Sequence, residues 1–275
     1  MSGNKFINFI KKILKVSKDC ELDIYAGYAT LLILMAAVPL IMLLIAVIFS
    51  IPYFSTEEFI DSLFNLLPDI SYIQDMISEI INNVQSKSST LLASVAALTT
   101  LFSASGGVSA IQAGLRKISP DSRTSLWDKP KALLFTILFI VQIIVLLVFQ
   151  VFGNALESSL VSLSESFPVL SFAKSFASLM HVSWLISFAV IIITVLLFFT
   201  YLPAGKRKLK DQLPGAIFTS VLWLIFTYVF SFFMSRFWSA SAIYGSLAAV
   251  FLMAMWLRYA ITILFYGAVI NLLNN

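Results

Sequence analysis

The sequence predicts an all-α integral membrane protein of six transmembrane helices with both termini in the cytoplasm. Composition is the first reason. Of 275 residues, 60% are hydrophobic and only 12% charged, with a mean hydropathy of +0.95. Soluble domains carry about a quarter charged residues, so this chain cannot clothe a water-facing surface. Six apolar stretches, each near the ~20 residues that a helix needs to cross a bilayer core, are the second reason. The third is the placement of charge, which is strongly one-sided. The single cysteine, Cys20, excludes a disulfide scaffold and a zinc ribbon. The single histidine, His181, excludes a multi-histidine metal centre.

The stretches run from Tyr28 to Ser50, Ser88 to Leu115, Lys131 to Gly153, Met180 to Leu202, Leu213 to Met234 and Tyr244 to Leu273. Pro39 lies inside the first and is expected to kink it, because its missing N–H removes a rung of the helix ladder. The second is rich in Ala, Ser, Thr and Gly, residues that let backbones approach closely, so it is expected inside the bundle. The first apolar run is too long, and begins too far into the chain, for a signal peptide.

Charge sets the orientation. Lys5, Lys11, Lys12, Lys15 and Lys18 precede the first span. Arg116, Lys117, Arg123, Lys129 and Lys131 lie between the second and third, and Lys206, Arg207, Lys208 and Lys210 between the fourth and fifth. These fourteen of the 18 basic residues share one side, and the positive-inside rule makes that side cytoplasmic. The other side holds Lys87, Lys174 and Arg236 against Glu57, Glu58, Asp61, Asp69, Asp75, Glu79, Glu157 and Glu165. One domain of residues 1–275 is expected, with a basic amphipathic cytoplasmic segment at 1–27 and an external amphipathic helical loop at 51–87.

In the N-terminal segment Phe6, Phe9, Ile10, Ile13 and Leu14 share one helical face opposite lysines, the pattern of a helix lying on an anionic leaflet. In the external loop Ile73, Met76, Ile77, Ile80, Ile81 and Val84 recur at helical spacing, and Leu156, Leu160, Leu163 and Phe167 form a shorter counterpart. Their polar faces are not basic, so packing on the rim of the bundle is the plain reading.

Arg258 is the outstanding polar residue. It lies about 14 residues into the last span, ~21 Å from its external end at ~1.5 Å per residue. A charge at that depth costs at least about 2.5–3.5 kcal/mol, and no Asp or Glu falls within the six stretches to neutralise it. It must face water, backbone carbonyls or an anionic ligand. Its guanidinium suits a phosphate-bearing headgroup; a snorkelling arginine at a helix break near Gly245 is the alternative. Ser103, Ser105, Gly106, Gly107 and Gln112 of the second span, with Gln142 of the third, are the other candidate substrate-binding residues. Adjacent glycines weaken a helix, so the backbone there is expected to unwind as in transporter sites, or else to pack closely. No GxSxG, Walker or HExxH motif is present. The cytoplasmic acids Asp19, Glu21, Asp23, Asp121, Asp128 and Asp211 are too scattered for a metal nuclease.

Tyr201-Leu202-Pro203, then Leu213-Pro214-Gly215-Ala216 opening the fifth span, then Tyr244-Gly245-Ser246-Leu247-Ala248-Ala249-Val250, Met255-Trp256 and Gly267-Ala268 form an ordered series. With Pro39 and Phe102-Ser103-Ala104-Ser105, this series resembles the YihY / virulence factor BrkB family, historically labelled ribonuclease BN. The family commonly has a Glu where this chain has Val269, and a Tyr where it has Leu31. The resemblance implies a six-span bacterial inner-membrane protein, with Pro39, Pro214, Gly215, Tyr244, Gly245, Trp256 and Gly267 in structural roles. Pro214 suits a first helical turn and the glycines suit close helix contact.

Two readings follow. One is a transporter or lipid-translocating protein with a polar cavity reaching Arg258, and an anionic lipid or other small anion as its ligand. The other is a non-transporting envelope scaffold or resistance factor, working through a protein partner or as a homo-oligomer. Neither needs a cofactor, a metal or nucleic acid, and the ribonuclease label fits the residues least.

Overall fold

Among the described residues, apolar runs closed by polar turns fold as seven helices, with no strand. The computed structural model describes residues 2–49, 90–119, 124–144, 183–203, 205, 207–237 and 245–274. The helices are α1 (Ser2–Asp19), α2 (Leu22–Phe49), α3 (Thr90–Ile118), α4 (128–144), α5 (Ser183–Tyr201), α6 (Leu209–Phe237) and α7 (Gly245–Asn274). The expected helices at 51–87 and around Leu156–Phe167 lie outside the described residues, as do Asp121, His181 and Tyr244.

Leu209–Phe233 and Val250–Asn274 are long and apolar enough to cross a membrane. Residues Ile7–Asp19 and Leu22–Ala37 pass the same test together, but they are bent 65° apart. The bend comes from the backbone of Cys20 and Glu21. Glu21 holds φ at +54°, the left-handed conformation that a helix end adopts when it turns, while its N–H still donates to Lys18 O.

Around α2 the helices pack as neighbours. α2 lies along α3, α7 packs against both α2 and α6, and α5 packs against α6, with its Phe199 also reaching Gly267 of α7. α4 meets α5 through a T-shaped Phe135–Phe198 contact, and Thr194 of α5 donates to Gln142 Oε1 at 2.8 Å. The most deeply buried large side chains are Leu22, Leu115, Phe199, Leu202, Phe265 and Val269. They come from the start of α2 and the ends of α3, α5 and α7. The core therefore sits at the basic end of the bundle.

Two glycine seams set the helix spacing. At Gly107 a Cβ would stand 2.4 Å from Ile33 Cγ1, and at Gly215 it would stand 2.1 Å from the backbone oxygen of Gly267. The reverse holds too, since a Cβ on Gly267 would meet Thr219 Oγ1 and Gly215 O. Thr219 Oγ1 is buried with no hydrogen-bond partner among the described residues. It occupies the space that a side chain on Gly267 would need, so the missing Cβ is what lets the two helices close here.

The close-packing alternative holds at Gly106–Gly107: α3 runs through them without interruption, with Leu32, Ile33 and Ala29 of α2 packed against that stretch. Two expectations change. α3 buries most of its C-terminal half, whereas in its N-terminal half Val95, Leu98 and Phe102 are exposed and Thr100 is buried. α6 starts at Leu209, so Pro214 stands inside the helix rather than in its first turn. There the Asn271 amide braces the chain: it accepts from Gly215 N–H at 2.7 Å and donates to Gln212 O at 3.2 Å and Gln212 Oε1 at 3.1 Å.

Candidate functional site

Arg258, the fourteenth residue of α7, does have a carboxylate partner. Its Nη2 donates to Asp23 Oδ2 at 2.6 Å. Hydropathy marks only the apolar stretches, and Asp23 lies outside them. α2 begins at Leu22, six residues before the first apolar stretch, and its polar first turn carries Asp23. A carboxylate in a first helical turn also complements the positive end of the helix dipole. The pair places the Arg258 fork within reach of the N-terminal turn of α2, rather than of its middle. It is open: the Arg258 side chain is 48% exposed and that of Asp23 71%. Only one guanidinium nitrogen is engaged by Asp23, so the planar fork retains donors for a second acid.

The other expected site residues do not gather around Arg258. Ser105 donates to Phe102 O within its own helix, and Ser103 is half-buried nearby. Gly106 and Gly107 serve the α2–α3 seam. Gln142 is held by Thr194. Gln112 lies deep at the basic end, where it donates to Leu202 O at 2.7 Å and approaches Asp128 Oδ1 at 3.4 Å. Ser105, Gln112 and Gln142 each have a hydrogen-bond partner of their own, within the helix for Ser105 and across to the 183–202 segment for Gln112 and Gln142. Trp256 is half-buried on α7, two residues before Arg258.

Gln112 belongs to a polar knot that no sequence signal used above had pointed to. Ser125, Leu126, Trp127 and Asp128 form a capping box at the start of α4. Ser125 Oγ accepts from Trp127 N–H, and the Asp128 carboxylate accepts from Ser125 N–H at 2.9 Å. The same carboxylate takes an ion pair from Arg116 at 2.9 Å. Across the knot, Arg207 donates to Phe199 O at 3.1 Å and to Ser119 Oγ. Gln112 and Arg207 thus satisfy carbonyls at the end of α5 that the helix leaves orphaned. Desolvation by burial lowers the Arg207 pKa from its ordinary value. The Ser-x-x-Asp spacing was readable in the sequence; the reach to Arg116 and Gln112 was not.

Cys20 sits at the elbow between α1 and α2, its thiol against Lys117 O at 3.5 Å. Burial and the neighbouring Asp19 push its pKa up, against a smaller lowering by Lys117.

A bundle of apolar helices with an open ion pair on one candidate span and a basic, polar-knotted end defines a polytopic membrane protein. The chain belongs to the virulence factor BrkB family, whose model matches residues 13–275. It is 27% identical over 209 residues to a putative ribonuclease-like protein, YfkH, of Bacillus subtilis (strain 168), covering 74% of this chain and 72% of that one. A UPF0761 membrane protein of Haemophilus influenzae (strain 86-028NP) is 26% identical over 273 residues, 95% of this chain and 93% of the relative. A third, from Psychrobacter sp. (strain PRwf-1), is 27% identical over 254 residues, which are 90% of this chain but 44% of that longer protein. No solved structure matches the chain. At the position where the family resemblance leads one to expect a glutamate, Val269 is fully buried in the core, so an acid there would need its own partner.

Proposed function

We propose that this protein crosses the bacterial inner membrane six times with both termini in the cytoplasm, and that it moves an anionic lipid or another small anion past the Arg258–Asp23 pair. The observation that carries the reading is the half-open guanidinium on an apolar 30-residue helix. Ionisable groups in such helices are costly and mark substrate paths, and here the resident carboxylate is one that an incoming phosphate could displace. The skew of lysine and arginine supports the orientation, and the UPF0761 membrane proteins among the relatives support the membrane setting. The reading assigns no hydrolytic step to the chain. The ribonuclease-like name belongs to a relative at 27% identity.

The test is transbilayer movement of fluorescent phosphatidylglycerol in vesicles holding the purified chain, read beside melting temperature. Arg258→Lys should keep part of the activity and Arg258→Leu should lose it, with melting unchanged. Asp23→Asn should keep activity, because it frees the fork. If Arg258→Leu lowers only the melting temperature, the pair is structural and a scaffold becomes the better reading.

A further inference from the structure

α1 divides its apolar residues between two faces, which the sequence had merged into one. Ile13 is buried, and Phe9 and Val16 pack beside it against the core, as α1 lies on α7 and α2. Ile7, Ile10 and Leu14 point away and are exposed. At 100° per residue this uncovered stripe is bordered by Lys11, Lys15 and Lys18, all exposed. The helix thus has one edge on the bundle, one bare apolar edge and one cationic edge.

A second feature at the same end repeats this chemistry. The capping box of α4 turns its two middle residues outward, leaving Leu126 97% and Trp127 70% exposed, with exposed Lys129 beside them. The box is hydrogen-bonded at both ends and tied to α3 through Arg116, so the display of these side chains is built into the turn. The start of this connection lies near the end of α1, since Cys20 of the elbow contacts Lys117 O at the end of α3.

We propose that α1 and the Leu126–Trp127 tip together form a docking surface for the anionic phospholipid headgroup layer. Ile7, Ile10, Leu14, Leu126 and Trp127 enter the acyl boundary, and the lysines bind the phosphates. Charge complementarity selects this occupant. Each bare apolar edge is bordered by exposed lysines, and a Trp at a turn is the side chain that favours the headgroup level. The 65° elbow supplies the geometry, because a helix lying along the surface must leave a spanning one at a large angle. The surface is separate from the Arg258–Asp23 pair, and it does not require that anything be transported.

The experiment uses the full chain in a Cys20→Ser background, with a bimane fluorophore on Leu14→Cys, Leu126→Cys or Lys12→Cys. Each is placed in vesicles of phosphatidylcholine alone, or with roughly a third phosphatidylglycerol. Doxyl-labelled lipid should quench the probes at 14 and 126 about twofold more strongly in the anionic vesicles, and the probe at 12 little in either. Lys11→Gln, Lys15→Gln and Lys18→Gln together should abolish the difference at 14 without lowering the melting temperature. Equal quenching by aqueous iodide at 14 and 12 in both vesicles would overturn the proposal. So would protection of position 14 from both quenchers, since a protein would then cover the stripe.

Discussion

Replacing Gly215 by alanine tests the α6–α7 seam on which the candidate site is mounted. The added Cβ would lie 2.1 Å from Gly267 O and 2.5 Å from Asn271 Oδ1, where 3.4 Å is ordinary contact. The first clash is with backbone, so no rotamer relieves it, and the helices must part by more than an ångström. That movement breaks the 2.7 Å bond from Gly215 N–H to Asn271, leaving a buried donor at a cost of about 1–3 kcal/mol. Overpacking adds about 1–3 kcal/mol, and better helix propensity returns about 1 kcal/mol. The net expectation is a loss of about 1–5 kcal/mol, a fall of several degrees in melting temperature in detergent. The same chain holds its own control. Gly27 has nothing within 4 Å of its would-be Cβ, so Gly27→Ala should be neutral or stabilising by up to about 1 kcal/mol. A Gly215→Ala protein that melts at or above the parent would refute the close-approach argument.

Asp128→Ala should cost about 2–4 kcal/mol, because it strands Arg116 and opens the α4 cap, while Asp128→Asn, which keeps an acceptor, should cost less; denaturant titration in micelles ranks them. Glu21→Gly should stabilise the elbow by up to about 1 kcal/mol, since a left-handed φ suits glycine, and Glu21→Val should do the opposite; a melting series decides the sign. The Cys20 thiol should react with maleimide more slowly than a free thiol at neutral pH. Its pKa is raised, so the thiolate forms only at higher pH and the rate profile shifts to the alkaline side; a profile matching glutathione would contradict the burial of the elbow.

The helices were legible in the sequence because what specifies them is local. Long apolar runs with glycine, proline and basic turns between them leave little else to form, and α2, α3, α5, α6 and α7 each overlap a stretch read from hydropathy. The family was legible for a related reason, since the Pro214-Gly215 and Tyr244 to Val250 segments are contiguous words. Pairings across the fold were not. Asp23 and Arg258 are 235 positions apart, and nothing local to either announces the other. The pair exists because α2 starts earlier than its apolar stretch and because α7 lies beside it. Periodicity likewise grouped Phe9 and Ile13 with Ile10 and Leu14. A helix wheel records which residues share a side, but only the docking of α1 on α7 determines where along that side the bundle stops and the uncovered edge begins.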